Sequence, residues 1–89
     1  MALYEFEEDE IFKEQANAID PTRRELDKKL EDLLFVIARI PHSFPALPGT
    51  NIRRAVYDGS PRLWVWFKML HGMAKIRLLS IEIYGPNEA

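Results

Sequence analysis

The fold of this chain is decided by residues 51–84, NIRRAVYDGSPRLWVWFKMLHGMAKIRLLSIEIY. Apolar and polar residues alternate there in three runs, separated by the turn-forming sequences Asp58-Gly59-Ser60-Pro61 and His71-Gly72. Such alternation is typical of strands that bury one face. The pattern predicts three consecutive antiparallel strands, at residues 52–57, 62–69 and 74–84.

The His71-Gly72 loop sets the expected register, because Gly accepts a positive φ and His tolerates one in a two-residue hairpin. If residues 70 and 73 close the loop, apolar pairs form one dry face: Phe67 with Ile76, Val65 with Leu78, and Met69 with Ala74. The opposite face is then basic and aromatic, with Trp64, Trp66, Lys68, Lys75 and Arg77.

The first hairpin leaves one alternative open. Pairing Tyr57 with Arg62 places Arg53 beside Trp66 on the basic face and Arg54 on the dry face. A buried charge without a partner is costly. A bulge or another loop closure would exchange the two arginines, so both placements remain open.

A short strand and two helices are predicted before this sheet. Residues 2–6 alternate weakly and form an expected first strand of the same sheet. The acids at 7–10 favour the start of a helix, and Asp20-Pro21 begins a second helix that runs to about Ile40. Its apolar residues share one face: Leu26, Leu30, Leu33, Leu34, Ile37 and Ile40. Burial of that face against the sheet gives an α+β domain of order β-α-α-β-β-β, in which two N-terminal helices pack on one face of a small antiparallel sheet.

Residues 41–49, PHSFPALPG, form a proline-rich connector in which Phe44 and Leu47 are expected at the edge of the core. The 89 residues are expected to make a single domain, 1–89, with 85–89 as a frayed tail. The chain contains no cysteine, no apolar run long enough to span a membrane and no secretory signal, which favours a cytoplasmic protein.

Charge is distributed unevenly along the chain. Residues 1–32 hold eleven acidic and five basic residues, whereas residues 33–89 hold three acidic and seven basic residues. An acidic or polyanionic partner is therefore expected on the basic face of the sheet, although the net charge of −2 argues against strong nonspecific binding to nucleic acid.

Three stretches resemble the RelE/ParE superfamily of bacterial toxins. Residues 44–54, FPALPGTNIRR, resemble the connector and basic strand of that family. Residues 62–67, RLWVWF, and 75–82, KIRLLSIE, resemble its two following strands. The resemblance covers nearly the whole chain but rests on the pattern and order of elements rather than on a strict motif.

The resemblance implies the toxin component of a type II toxin–antitoxin system, held inactive by a cognate antitoxin. Of the activities that the resemblance implies, we favour metal-independent cleavage of messenger RNA on the ribosome. The alternatives are a ParE-type inhibitor of DNA gyrase without nuclease activity and a non-catalytic protein-binding member. The implied partners are proteins and RNA, with no membrane.

Cleavage of RNA without a metal needs a base for the 2′-hydroxyl, cations for the phosphate and an acid for the leaving 5′-oxygen. By resemblance, these roles fall on Arg53 or Arg54, Arg62, Arg77 or Lys75, and Glu82 or Tyr84. The predicted catalytic residues are Arg53, Arg62, Arg77 and Tyr84. The predicted RNA-binding residues are Arg54, Trp64, Trp66, Lys68 and Lys75.

A regular last strand conflicts with part of this assignment. Glu82 and Tyr84 share the parity of Ile76 and Leu78, so they would face the helices unless a bulge near Ser80 or Glu82 intervened. No metal-ligand spacing or phosphate-binding glycine loop is present, so neither a metal nor a cofactor is expected.

The same regular strand would add three apolar side chains to the basic face: Leu79, Ile81 and Ile83. A face with that much apolar surface favours coverage by a partner chain, either a dimer mate or the antitoxin in a hetero-oligomer.

Overall fold

The computed structural model describes residues 4–70 and 72–84. Its elements are β1 (Glu5–Glu8), α1 (Glu10–Ile19), α2 (Arg24–Arg39), a 3₁₀ turn (Pro41–Ser43), β2 (Ile52–Tyr57), β3 (Leu63–Leu70) and β4 (Lys75–Ile83). The strands form one sheet of order β1-β4-β3-β2. The predicted α+β class and the β-α-α-β-β-β order are confirmed. The expected tail at 85–89 lies outside the described residues.

The sheet is mixed rather than antiparallel as predicted, because β1 lies parallel to β4 with Phe6 opposite Ile76. Two helices separate β1 from the other strands, which gives the crossover that a parallel neighbour requires. β1 occupies two of the acidic positions assigned to the helix start, and residues 2–3 of the predicted strand lie outside the described residues. The helix begins after Asp9 instead, whose Oδ1 accepts a hydrogen bond from the Ile11 amide at 3.0 Å.

The second helix begins at Arg24, so the predicted start at Asp20-Pro21 is wrong. α1 continues to Ile19, and Asp20 closes it as the C-terminal cap. The chain then reverses through a turn in which Arg23 adopts a left-handed conformation, with φ of 68°. Asp20 still assists the second helix, because its Oδ2 accepts a hydrogen bond from the Leu26 amide at 3.0 Å.

The core lies between the two helices and one face of the sheet. Its buried apolar residues are Phe12, Ala16, Leu26, Leu30, Ile37, Ala55, Leu63, Val65, Phe67, Ile76, Leu78 and Ile81. This arrangement confirms that the apolar face of α2 covers the sheet, although Ile40 is 52% exposed because the helix ends at Arg39. Phe44 packs edge-on against Phe67 as expected, whereas Leu47 is exposed, contrary to prediction.

The loop that joins β3 to β4 is longer than the two residues predicted. Leu70 pairs with Lys75, and Phe67 pairs with Leu78 rather than with Ile76. The predicted register is therefore wrong by two residues, but an even shift leaves the same side chains on the core face. His71, to which a turn role was assigned, lies outside the described residues.

The hairpin between β2 and β3 differs from its prediction by one residue, because Tyr57 pairs with Leu63 instead of Arg62. An odd shift exchanges the two faces of a strand. Arg54 therefore stands opposite Trp66, and Arg53 stands opposite the buried Phe67. Within the described residues, no helix is long and apolar enough to cross a membrane.

Candidate functional site

The side of the sheet away from the helices, here called the open face, is shaped by a β-bulge in β4. Phe67 pairs with Leu78 and Trp66 pairs with Ser80, so Leu79 is the additional residue. The bulge changes the parity of the strand after Leu79. Ile81 consequently enters the core, while Glu82 and Tyr84 project from the open face beside the tryptophans. The prediction that Ile81 would lie on this face is wrong.

Four side chains form a continuous row across the open face. The rings of Tyr84 and Trp64 stack with centroids 4.3 Å apart and an interplanar angle of 14°. The Arg54 guanidinium lies 4.7 Å from the Trp64 centroid, and the Arg62 guanidinium lies 5.8 Å from the Tyr84 centroid. The two rings cover each other, and the cations at both ends of the row supply positive charge for anions.

Trp66 joins Glu82 to this row. Its indole meets Trp64 edge-on, with centroids 5.9 Å apart. Its Nε1 donates a hydrogen bond of 2.9 Å to Glu82 Oε2, so the carboxylate is oriented by an indole rather than by a cation. An exposed carboxylate thus lies within the basic and aromatic surface.

Arg53 has a structural role, and of the two placements that the sequence left open, it takes the one opposite Phe67 rather than the one on the basic face. Its Nη1 donates hydrogen bonds to the carbonyls of His42, at 3.3 Å, and Phe44, at 2.6 Å. These bonds fasten the connector along the edge of the sheet, where Ala46 also bridges to Arg53. Arg53 is therefore not in position to act with Tyr84, and Arg54 is the arginine of β2 that lies on the open face.

Arg77 lies on the open face but is neutralised there. Its guanidinium binds the carboxylates of Glu7 and Asp9, which tie β4 to β1 and to the start of α1. The hydrogen bond that Arg77 donates to Glu7, followed by the one that it donates to Asp9, raises the pKa of Arg77 above its ordinary value. Two carboxylates on one guanidinium make this residue a tether of the fold rather than a free phosphate ligand.

The remaining predicted cations differ in their surroundings. Arg62 pairs with Asp58 at 3.1 Å, but both side chains are largely exposed, so a phosphate can displace this weak ion pair. Lys68 is half-buried opposite Arg77, and Lys75 stands opposite Leu70 and Glu5. Arg62 lies next to Tyr84. Both lysines lie at the other end of the open face, near the loop that joins β3 to β4.

A shallow recess of about 320 Å³ adjoins Trp66. It is lined by Leu47, Ile52, Trp66, Leu79 and Ser80. Leu47 comes from the connector, and Leu79 is the bulged residue. The exposure of Leu47 and the bulge at Leu79 both differ from the predicted structure, and both contribute to the recess. The recess gives the open face a concave apolar surface beside its charged groups.

The arrangement brings together six of the residues considered for the site: Arg54, Arg62, Trp64, Trp66, Glu82 and Tyr84. Of the residues that line the recess, Trp66 was predicted as a site residue and the other four were not. Leu79 carried a signal, because Leu78 and Leu79 interrupt the strict alternation of the strand, as a bulge does. No three metal-ligating side chains converge anywhere in the described part of the chain.

The sequence matches no protein-family model and no curated protein. The class that fold and face define is a small α+β domain with an aromatic and cationic sheet surface.

Proposed function

We propose that this chain is the toxin component of a type II toxin–antitoxin system and that it cleaves messenger RNA on the ribosome. The observation that carries the proposal is the bulge at Leu79, because it sets Tyr84 and Glu82 beside Arg54, Trp64 and Arg62. A proton donor for the leaving oxygen and cations for the phosphate are then available on one face, and RNA cleavage without a metal requires both.

The proposed reaction needs few groups. The 2′-oxygen bonds to the adjacent phosphorus and gives its proton to water, while the bond from phosphorus to the 5′-oxygen of the next nucleotide breaks. Arg62 stabilises the negative charge on the phosphate oxygens, and the Tyr84 hydroxyl donates a proton to the departing 5′-oxygen and then regains one from water. The products are a 2′,3′-cyclic phosphate and a free 5′-hydroxyl.

RNA binding falls to the other members of the row. Arg54 supplies positive charge that no carboxylate of the described residues neutralises, and the Trp66 indole offers a stacking surface for an unpaired base. The faces of the Trp64 indole are already in contact with Tyr84 and Arg54. The cognate antitoxin is the proposed protein partner, which keeps the toxin inactive.

A ParE-type inhibitor of DNA gyrase is the second candidate. It is favoured by the position of Arg53 away from the open face and by the neutralisation of Arg77, which together remove two of the four predicted catalytic residues. Such a protein would use the same face for protein binding and would need no reacting group.

Induced expression in bacteria, followed by primer extension on abundant messages, separates these candidates. Cuts in phase with codons support the nuclease. Intact messages together with broken DNA and an induced SOS response contradict the nuclease and support the gyrase inhibitor. Normal growth with intact RNA and DNA contradicts both, provided that soluble folded protein accumulates.

A further inference from the structure

We propose that this protein forms a weak symmetric dimer, in which the outer sides of two α2 helices pack against each other in antiparallel orientation. The contact is made by Asp32, Phe35, Val36 and Arg39, here called the outer stripe. Because α2 covers the core face of the sheet, the outer stripe lies on the opposite side of the sheet from the open face. The inference therefore does not depend on the proposed function.

The outer stripe exposes a patch of apolar surface. Phe35 is 51% exposed and Val36 is 41% exposed, although α2 already buries another apolar side against the sheet. Ile40 adjoins them, and a recess of about 200 Å³ lies between Phe35, Val36, Arg39 and Ile40. Single exposed apolar residues are common, but three that share one helix surface favour contact with another chain.

The spacing of the outer stripe suits the packing of two helices. Its four residues stand at positions i, i+3, i+4 and i+7 of α2, so they share one side of the helix. Four residues at this spacing outline the kind of hole that receives a side chain of a neighbouring helix. The exposed Phe35 ring is a side chain of suitable size to enter such a hole.

The charges at the two ends of the outer stripe indicate which helix packs there. Asp32 and Arg39 are both exposed, and within the described residues neither takes part in an ion pair. The Arg39 guanidinium lies 5.6 Å from the Phe35 ring centroid, so its charge adjoins the apolar centre of the stripe. A partner helix that matches this surface needs a cation beside Asp32, apolar side chains in the centre and a carboxylate beside Arg39.

A second copy of α2 meets this requirement. The midpoint between Asp32 and Arg39 along the helix is also the midpoint between Phe35 and Val36. An antiparallel copy centred there places Asp32 of each copy beside Arg39 of the other, and Phe35 of each against Val36 of the other. Such a self-complementary patch is what a two-fold symmetric interface requires.

The size of the outer stripe limits the strength of the dimer. One helix side buries less than the roughly 800 Å² per partner that is typical of a stable interface. Two exposed ion pairs add only a small contribution each. We therefore expect the dimer to dissociate with a Kd between about 10 µM and 1 mM.

Sedimentation equilibrium over this range of concentrations measures the dimer directly. Asp32→Arg places two cations together at each end of the contact, and Arg39→Asp places two carboxylates together there. Each single variant should raise the Kd of the dimer at least about tenfold, because two ion pairs become two repulsions. The double variant Asp32→Arg/Arg39→Asp restores both pairs and should return the Kd to within about threefold of wild type.

A mixture of the two single variants gives a sharper test. Asp32→Arg and Arg39→Asp complement each other at both ends of the contact, so an equimolar mixture should dimerise although neither variant does so alone. Glu14→Arg is the matched control, because it makes the same change in net charge on an exposed position of α1. It should leave the Kd unchanged, and circular dichroism establishes that each variant is folded.

Three outcomes would overturn the proposal. A wild-type chain that remains monomeric at about 1 mM shows that the outer stripe does not bind a second copy and leaves it to a different protein. A dimer that resists both single changes, or that Glu14→Arg weakens equally, does not use the stripe. Failure of both the double variant and the mixture to restore the dimer contradicts the antiparallel pairing.

Discussion

Tyr84 and Trp64 stack face to face with centroids 4.3 Å apart, although a regular β4 would turn Tyr84 toward the helices. The bulge at Leu79 makes the stack possible, and a hydrogen bond of 2.8 Å from the Tyr84 amide to the Arg62 carbonyl fixes the strand end. The position of a single additional residue thus decides whether the end of the strand serves the core or the open face.

Replacement of Tyr84 separates its ring from its hydroxyl. Tyr84→Phe keeps the stack, so we expect stability within about 0.5 kcal/mol of wild type but cleavage reduced by about a hundredfold, because the proton donor is lost. Tyr84→Ala also loses the ring contact, which should lower the free energy of unfolding by about 0.5–1.5 kcal/mol. Urea denaturation and cleavage rates measure the two effects. Full activity in Tyr84→Phe would remove Tyr84 from the reaction.

The bulge makes a prediction about stability alone. Ile81 is 1% exposed, so Ile81→Ala should lower the free energy of unfolding by about 2–5 kcal/mol. Ser80 lies on the open face, so Ser80→Ala should change the free energy of unfolding by less than about 0.5 kcal/mol. Urea titration of both variants checks the parity of the strand. A large loss for Ser80→Ala with a small loss for Ile81→Ala would show that β4 continues without a bulge.

The neighbouring arginines of β2 should separate stability from RNA binding. Arg53→Ala removes the hydrogen bonds to the connector carbonyls and should cost about 1–3 kcal/mol of stability. Arg54→Ala loses a contact with Trp64 and should cost less than about 1 kcal/mol, but it should weaken RNA binding. Melting curves and RNA titrations of both variants decide the assignment. The reverse pattern would place Arg53 on the open face.

The tether at the start of α1 predicts a dependence of stability on pH. The Ile11 amide, and secondarily Arg77, lower the pKa of Asp9 below its ordinary value of 3.8. A carboxyl group with a lowered pKa stabilises the fold when it is ionised, and this contribution is lost as pH falls through the lowered pKa. Asp9→Asn retains a capping side chain but lacks the charge.

We therefore expect Asp9→Asn to lower Tm at neutral pH and to match wild type once the pH has fallen below the lowered pKa of Asp9. Thermal melts across this pH range test the expectation, with Glu31→Gln as a control on an exposed helix face. An equal difference in Tm at every pH would mean that the charge of Asp9 contributes nothing.

Much of the fold could be predicted from alternation and helical spacing. β2 was predicted at its observed bounds, and the apolar stripe of α2 was matched to the correct face of the sheet. These features succeed because burial of side chains imposes a period that is visible in the sequence itself. The start of α2 was predicted wrongly, because Asp20 both ends α1 and accepts a hydrogen bond from the first turn of α2, and the sequence does not distinguish these roles.

The site could be predicted only in part, because register and bulges depend on pairing between strands. A shift of one residue in the first hairpin exchanged Arg53 and Arg54. The neutralisation of Arg77 depends on β1, which comes from the opposite end of the chain. The sequence shows the acidic run at residues 7–10, but it does not show that this run lies next to Arg77, because that contact depends on the parallel pairing of β1 with β4.

The most direct test of the central claim uses purified ribosomes programmed with a defined message and the purified protein. Primer extension should reveal cuts in phase with codons for the wild type. The double variant Arg54→Ala/Tyr84→Phe should lose at least about a hundredfold in cleavage while it remains folded. An intact message in the presence of folded wild-type protein, or equal cleavage by the double variant, would contradict the proposed use of the open face.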